Sequence, residues 1–262
     1  MDLSRALGVC LEAVHDAGRL TLGYFGRALE ARLKDDRSPV TEADVRAEEL
    51  IRARLEAAFP DHGIVGEEHG VTNEGAAARW YVDPIDGTKA FVRGVPLYGV
   101  LLALEVEGEV VVGAAGFPAL GETVYAVKGG GAYLDGRPVR VRETASLAEA
   151  LVSFTDAYAF ERAGLGDAWR RLMAAAYHRP GWGDAYGHAC VATGRAEVMI
   201  DPVLAPHDAG PFGVILREAG GYFGDLRGNE GIHGGAGLSC TLGLLPQVLA
   251  LLDVGGGSPA VS

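Results

Sequence analysis

Apolar residues recur at Leu3, Leu7, Cys10, Leu11, Val14, Ala17 and Phe25, mostly three or four apart. That spacing predicts a helix over residues 3 to 28 with one buried face. The stretch KDDRSPV breaks it. Thr41 then reads as an N-cap, with Asp44 three residues on and Val40 and Val45 placed as a hydrophobic staple. A second amphipathic helix is expected from 42 to 58, ended by Phe59-Pro60-Asp61. The pattern next turns strand-like. RWYVD at 79–83 predicts a strand, and LYGVLLALEVEGEVVVGAAGFPA predicts two more around a tight turn at Glu107-Gly108. ETVYAVKGGGAYLDGRPV continues in the same style, so an antiparallel sheet is expected in the middle of the chain. Beyond about 145 the elements mix. Helices are predicted over 161–176 and 185–194, the latter ended by Gly194, and EVMIDP reads as a short buried strand. HDAGPFGVILREAGG predicts a helix with Pro211 in its first turn and Gly220 just past its end. The order predicts a layered α+β fold in two halves, 1–145 and 146–254, with a disordered tail at 255–262.

Composition narrows the function classes. Hydrophobic residues make up 48% of the 262, enough for a large core, and 39 glycines imply many tight turns. The net charge is −12, with no basic run, which argues against a nucleic-acid partner. No apolar stretch is long enough to span a bilayer, and charges at Asp2, Arg5, Glu12 and Asp16 interrupt the N-terminus. The expectation is a cytoplasmic protein with no membrane partner. Cys10, Cys190 and Cys240 lack metal-ligand spacing and read as small buried residues.

The candidate chemistry lies in carboxylates. The strand RWYVD delivers Asp83 to its end, and Pro84 suits the first position of a helical turn. In such a turn Asp83 and Asp86 share a face about 5–6 Å apart, where they can bracket hard cations. Gly87 and Thr88 follow, with N–H groups suited to an anion and a hydroxyl suited to orienting water. Glu67 and Glu68 sit in GIVGEEHG, Asp208 at a helix start, and Asp44 in a capping box. Helix capping or a charged loop accounts for each of these taken singly.

Taken together, GEE at 66–68, DPIDGT at 83–88, and DAG at 208–210 with EAGG at 218–221 resemble the inositol monophosphatase superfamily of magnesium-dependent phosphatases. The resemblance runs from about residue 5 to 250. It implies a layered αβαβα sandwich, a homodimer, and Mg²⁺ with two or three ions to a site. It also implies metal ligands at Glu67, Asp83, Asp86 and Asp208, with the carbonyl of Ile85 as another. Asp44 and Thr88 resemble the pair that orients the attacking water, which Glu67 also touches, and Lys34 resembles a lysine near the metal loop. One position departs: His207 stands where the family usually has Trp. A catalytically silent metabolite or RNA binder would lack a ligand or carry a basic patch, and this sequence shows neither. A metal-buffering protein would leave Asp44 and Thr88 without a purpose.

For the substrate, KAFVRGVPLYG after DPIDGT resembles the histidinol-phosphate phosphatase branch rather than the N-F-x-H-G of inositol-type members. So does RPGWGDAYGHACVATGRAEVMIDP. Histidinol phosphate carries an ammonium and an imidazole, which Asp184 and Asp201 are suited to pair with. Arg179 and Arg93 are expected at the phosphate or at a partner subunit's site. The substrate-binding set expected is Ile85, Asp86, Gly87, Thr88, Arg179, Asp184, Asp201 and Asp208. The alternatives within the class are inositol 1-phosphate, fructose 1,6-bisphosphate and a phosphonucleotide.

Overall fold

The computed structural model describes residues 1–27, 32–33 and 39–254. Lys34 and the tail at 255–262 lie outside these residues. Helix α1 (Leu3–Leu22) begins at Asp2, whose carboxylate accepts the Arg5 N–H, and buries Ala6, Cys10, Val14 and Ala17 along the predicted face. Two short strands, β1 (Arg32–Leu33) and β2 (Pro39–Val40), pair antiparallel. Helix α2 (Glu42–Ala58) follows, opened by the expected Thr41–Asp44 capping box.

A large sheet comes next. Its strands are β3 (Gly63–Gly66), β4 (Gly70–Thr72), β5 (Ala78–Asp86), β6 (Gly99–Val106), β7 (Glu109–Phe117), β8 (Glu122–Val127), β9 (Gly131–Leu134) and β10 (Arg137–Val139). They lie in the order β10-β9-β8-β7-β6-β5-β3-β4, with a parallel β3–β5 pair in an otherwise antiparallel sheet. The β6–β7 turn places Glu107 and Gly108 at φ +52° and +82°, the two left-handed residues of a type I′ hairpin. A short helix, α3 (Thr88–Phe91), leaves the end of β5.

After a 3₁₀ turn at Leu147–Glu149, a smaller sheet forms from β11 (Val152–Phe154), β12 (Val198–Asp201), β13 (Gly221–Gly224) and β14 (Gly237–Thr241), in the order β11-β12-β14-β13. The helices of this part are α4 (Ala157–Arg162), α5 (Gly166–Ala175), α6 (Asp184–Ala192), α7 (Pro206–Glu218) and α8 (Leu245–Leu252).

Four expectations are corrected. The helix expected over residues 3 to 28 ends at Leu22, so Phe25 lies beyond it. The helix expected over 161–176 is two helices, α4 and α5. Gly164 between them has φ +72°, a left-handed step that ends the first helix. Pro211 is in the second turn of α7, because the helix starts at Pro206 rather than near Asp208. Most importantly, β5 does not stop at Asp83. It continues to Asp86, paired with β6 at Asp83↔Leu101 and Asp86↔Gly99 across a register shift, so Pro84 is not in a helical turn.

Five layers result. Helices α1 and α2 cover one face of the large sheet, with Cys10, Ile51 and Leu55 against Trp80, Val100 and Leu102. Helices α6 and α7 pack on the other face, with Val191, Phe212 and Ile215 against Leu101, Ala103 and Phe117. Alternate residues of β6 thus bury on opposite faces, and its sequence GVLLALEV is nearly all apolar. Helix α7 also packs on β13. The far face of the small sheet is covered by α5 and α8, through Leu172 and Val248 against Val198, Ile200 and Cys240. This is an α+β fold in an αβαβα sandwich. The cysteines are free and buried.

Close approach fixes α7. A Cβ on Gly113 of β7 would lie 2.6 Å from the Pro211 carbonyl oxygen, and one on Gly210 2.9 Å from Ala103 Cβ. The missing side chains let the helix seat deeply, and Asp208 rides on its first turn.

Candidate active site

Between Asp83 and Asp86, three steps along β5 match two along β6. Residues i and i+3 of a regular strand point to opposite faces. The one extra residue reverses the alternation, so both carboxylates turn to the same side. Pro84 falls within this bulge, where its missing N–H breaks no regular ladder position. Asp83 Oδ1 accepts the Ile85 N–H at 2.9 Å. Asp208 is positioned by the start of α7, where its Oδ2 accepts the Ala205 N–H at 3.1 Å. Carboxylate oxygens of Asp83, Asp86 and Asp208 come within 4.8 Å of one another.

Glu67 joins them on the β3–β4 loop. The carboxylate of Glu48, buried on α2, accepts the N–H groups of Glu68 at 2.7 Å and His69 at 3.1 Å. Its Oε1 also accepts from Arg52 Nε at 2.7 Å. A Cβ on Gly66 would sit 1.9 Å from Glu48 Oε1, so the glycine is required for this clamp. Glu67, Asp83, Ile85, Gly87 and Thr88 line one cavity of ≈ 230 Å³ together with Asp86, Lys89, Asp184 and Asp208.

Asp44 serves both as cap and as neighbour of the cavity. Its Oδ2 accepts the Thr41 N–H at 2.8 Å and the Thr41 hydroxyl at 2.6 Å. Its Oδ1 lies 3.5 Å from Thr88 Oγ1, which also donates to the Ile85 carbonyl at 3.0 Å. Capping therefore uses one oxygen and leaves the other facing Thr88.

Electrostatics set this cluster apart. Burial, then repulsion from Glu67, Asp208 and Asp86, pushes the Asp83 carboxyl well above the ordinary carboxylate value. Burial, then Asp184 and Asp208, does the same to Asp86, although the Ala185 N–H at 2.6 Å opposes it. Burial raises Asp208 too, with His207 opposing. Converging carboxylates that repel one another in a poorly hydrated site suit a hard divalent cation with oxygen ligands. The residues present fit that group.

A second cavity of ≈ 440 Å³ adjoins the first and shares Asp86, Lys89, Asp184 and Asp208 with it. Thr155, Arg162 and Asp201 also line it. Asp184 opens α6 at φ +51°, a strained conformation for a non-glycine residue. Its own N–H is held by Thr155 Oγ1 at 2.7 Å. Burial, then Asp201, raises its carboxyl to about 6, and Lys89 opposes this.

Not every expected residue converges. Arg179 donates to the carbonyls of Met173 and Ala176 at the end of α5 and lines neither cavity. Arg93 is exposed on the loop after α3 and lines neither. His207 places Nε2 3.4 Å from Asp208 Oδ1. Sequence reasoning missed Lys89, Thr155 and Glu48. Lys89 directly follows DPIDGT, and Glu48 lies one helical turn after Asp44, so both stood next to recognised signals. Nothing local marks Thr155.

The inositol monophosphatase family model matches residues 2–251. The chain belongs to the inositol monophosphatase family. It is 46% identical to a histidinol-phosphatase of Chlorobaculum parvum, over 88% of this chain and 90% of that one. It is 37% identical to a histidinol-phosphatase of Mycobacterium tuberculosis, over 95% and 98%. Among solved structures, the extragenic suppressor protein suhB from Bartonella henselae superposes with a TM-score of 0.88 at 28% identity, over 95% of this chain and 99% of that one. As a family member the protein is a hydrolase of phosphoric monoesters.

Proposed function

We propose that this family member is a magnesium-dependent histidinol-phosphate phosphatase, converting histidinol phosphate and water to histidinol and phosphate. The observation that carries the substrate is the pair Asp184 and Asp201 on the cavity next to the carboxylate cluster. An alcohol bearing an ammonium and an imidazole matches such a wall, whereas an inositol ring needs donors and acceptors matched to hydroxyls. The relatives named histidinol-phosphatase support the same reading.

Glu67, Asp83, Asp86, Asp208 and the Ile85 carbonyl would hold magnesium. When bound, it supplies positive charge that acidifies water and offsets charge on the phosphoryl oxygens. The protein's own groups position the reactants. Thr88 and Asp44 hold the attacking water, with Asp44 Oδ1 free of its capping duty and able to accept a proton. Thr41 keeps that carboxylate in place through two bonds to Oδ2. Gly87 and Thr88 offer backbone N–H groups to the phosphate. Asp184 and Asp201 orient the alcohol, so that water attacks in line as the P–O bond to histidinol breaks.

We also place the enzyme in the cytoplasm, in histidine synthesis, as a homodimer. Among the described residues no helix is long and apolar enough to cross a membrane. Tyr177 and Trp182 are exposed beside Arg179, the kind of aromatic surface that supports a subunit interface. Sedimentation velocity tests the dimer, and a monomer at micromolar concentration would refute it.

The direct test is phosphate release with Mg²⁺ from histidinol phosphate, inositol 1-phosphate and fructose 1,6-bisphosphate. The expected result is a kcat/KM preference of about tenfold or more for histidinol phosphate, lost in Asp83→Asn. Preference for another ester would overturn the substrate assignment.

A further inference from the structure

His188 lies on α6 and is 1% exposed. Its ring packs against Phe212 and Phe223, with centroids 5.0 and 5.6 Å away. A purely apolar side chain would suit that position, and a buried imidazole costs free energy unless its nitrogens are bonded. Both are. Nδ1 lies 2.7 Å from the Ser239 hydroxyl on β14, and Nε2 lies 3.3 Å from Asp201 Oδ2 at the end of β12. Ser239 is fully buried, and the ring nitrogen is the partner its hydroxyl hydrogen has. The bond is satisfied when Ser239 donates to Nδ1, which leaves the ring hydrogen on Nε2, directed at Asp201. Of the three residues, Asp201 is the one that lines the alcohol-side cavity. The chain Ser239–His188–Asp201 thus runs from the small sheet to the wall of the site.

We propose that His188 is a positioning residue for substrate selection: it ties one oxygen of Asp201 inward and presents the other to the cationic end of the alcohol. This rests on the reading of the substrate as an aminoalcohol phosphate. It assigns selectivity to a residue that lines neither cavity.

The test measures steady-state kinetics with Mg²⁺ on two esters, histidinol phosphate and β-glycerol phosphate, whose alcohol part carries no charge. His188→Leu is expected to raise KM for histidinol phosphate about tenfold, the effect of one lost charge-assisted bond, with kcat changed less than about twofold and β-glycerol phosphate unaffected. His188→Gln, whose amide N–H can reach Asp201, should restore most of the loss. In an Asp201→Asn background, His188→Leu should add nothing. Should His188→Leu fail to fold, Ser239→Ala decides, since it frees Nδ1 and should shift the same ester in the same direction. Equal losses on both esters, no rescue by Gln, or additive effects with Asp201→Asn would overturn the proposal. If the unsubstituted enzyme shows no preference for the ester with the cationic alcohol, the substrate reading fails and this inference falls with it. If the preference holds and the variants keep it, the inference fails alone.

Discussion

Replacing Glu48 by Ala should unfold the protein far more readily than its distance from the chemistry suggests. Glu48 is fully buried, and Arg52 is 7% exposed. Truncation removes the acceptor for two backbone N–H groups, at Glu68 and His69, and for Arg52 Nε. An unpaired buried N–H costs about 1–3 kcal/mol, and an orphaned partner of a buried ion pair about 3–5 kcal/mol. These losses overlap, because Arg52 keeps its bonds to the Gly70 carbonyl and Thr72 hydroxyl and water can enter the vacated space. The net expectation is about 3–5 kcal/mol. Urea unfolding in EDTA isolates this from any metal effect. Glu48→Gln keeps one acceptor oxygen but turns an amide toward a donor, so it should fall between wild type and Ala. Gly66→Ala should resemble Glu48→Ala, since its Cβ falls 1.9 Å from Glu48 Oε1 and 2.7 Å from Arg52 Nη2. A double-mutant cycle with Arg52→Ala should show strong coupling. A loss below about 1 kcal/mol for Glu48→Ala would refute the clamp, as that is the scale of an exposed pair.

Metal removal should expose the repulsion in the carboxylate cluster. Asp83 and Asp86 are held above the ordinary carboxylate value in the folded protein, so the folded state binds more protons than the unfolded one. In EDTA, their contribution to stability should therefore be fully present below the ordinary value and be lost as pH rises through their elevated values; a stability difference between wild type and Asp83→Asn that does not change with pH would contradict this. Asp83→Asn should raise the urea midpoint in EDTA yet leave it unresponsive to Mg²⁺, which should stabilise the wild type by mass action. Gly87→Ala should cost about 1–2 kcal/mol and most of the activity. Its φ is +80°, and the new Cβ lies 3.0 Å from the Leu97 carbonyl oxygen and 3.2 Å from Asp184 Oδ2; a normal kcat/KM would refute the need for this turn. Gly113→Ala should cost about 1–3 kcal/mol through overpacking and weaken Mg²⁺ binding, read by calorimetry, because it pushes α7 and Asp208 away from β7.

Local signals were legible wherever a few neighbouring residues decide the outcome. The Thr41–Asp44 cap, the Glu107-Gly108 hairpin and the periodicity of α1 all depend on side chains within one or two turns of each other. Gly164 shows the limit: it stood inside an apolar period and was read as helix, yet its left-handed φ splits α4 from α5. The carboxylate motifs were visible as residue types, and family resemblance grouped them. Their geometry was not. Pro84 suited a helical turn on local grounds, and pairing with β6 kept the strand going instead. The ladder bonds of a central strand outweigh the preference of one proline, and the bulge absorbs the misfit.

By itself the sequence determined most of the helices and the central strands, the acidic character of the site and the family. Tertiary structure alone decided that residues 67, 83, 86 and 208 share a cavity with Asp44 beside it at Thr88, that Glu48 grips the loop beside Glu67, and that His188 reaches Asp201. Apart from Asp83 with Asp86, those contacts join residues 13 to more than 100 positions apart, and chain-local propensity carries no information about them. They form because burying both faces of the large sheet forces α2 against one side and α6 and α7 against the other, and the polar groups carried inward must then find partners.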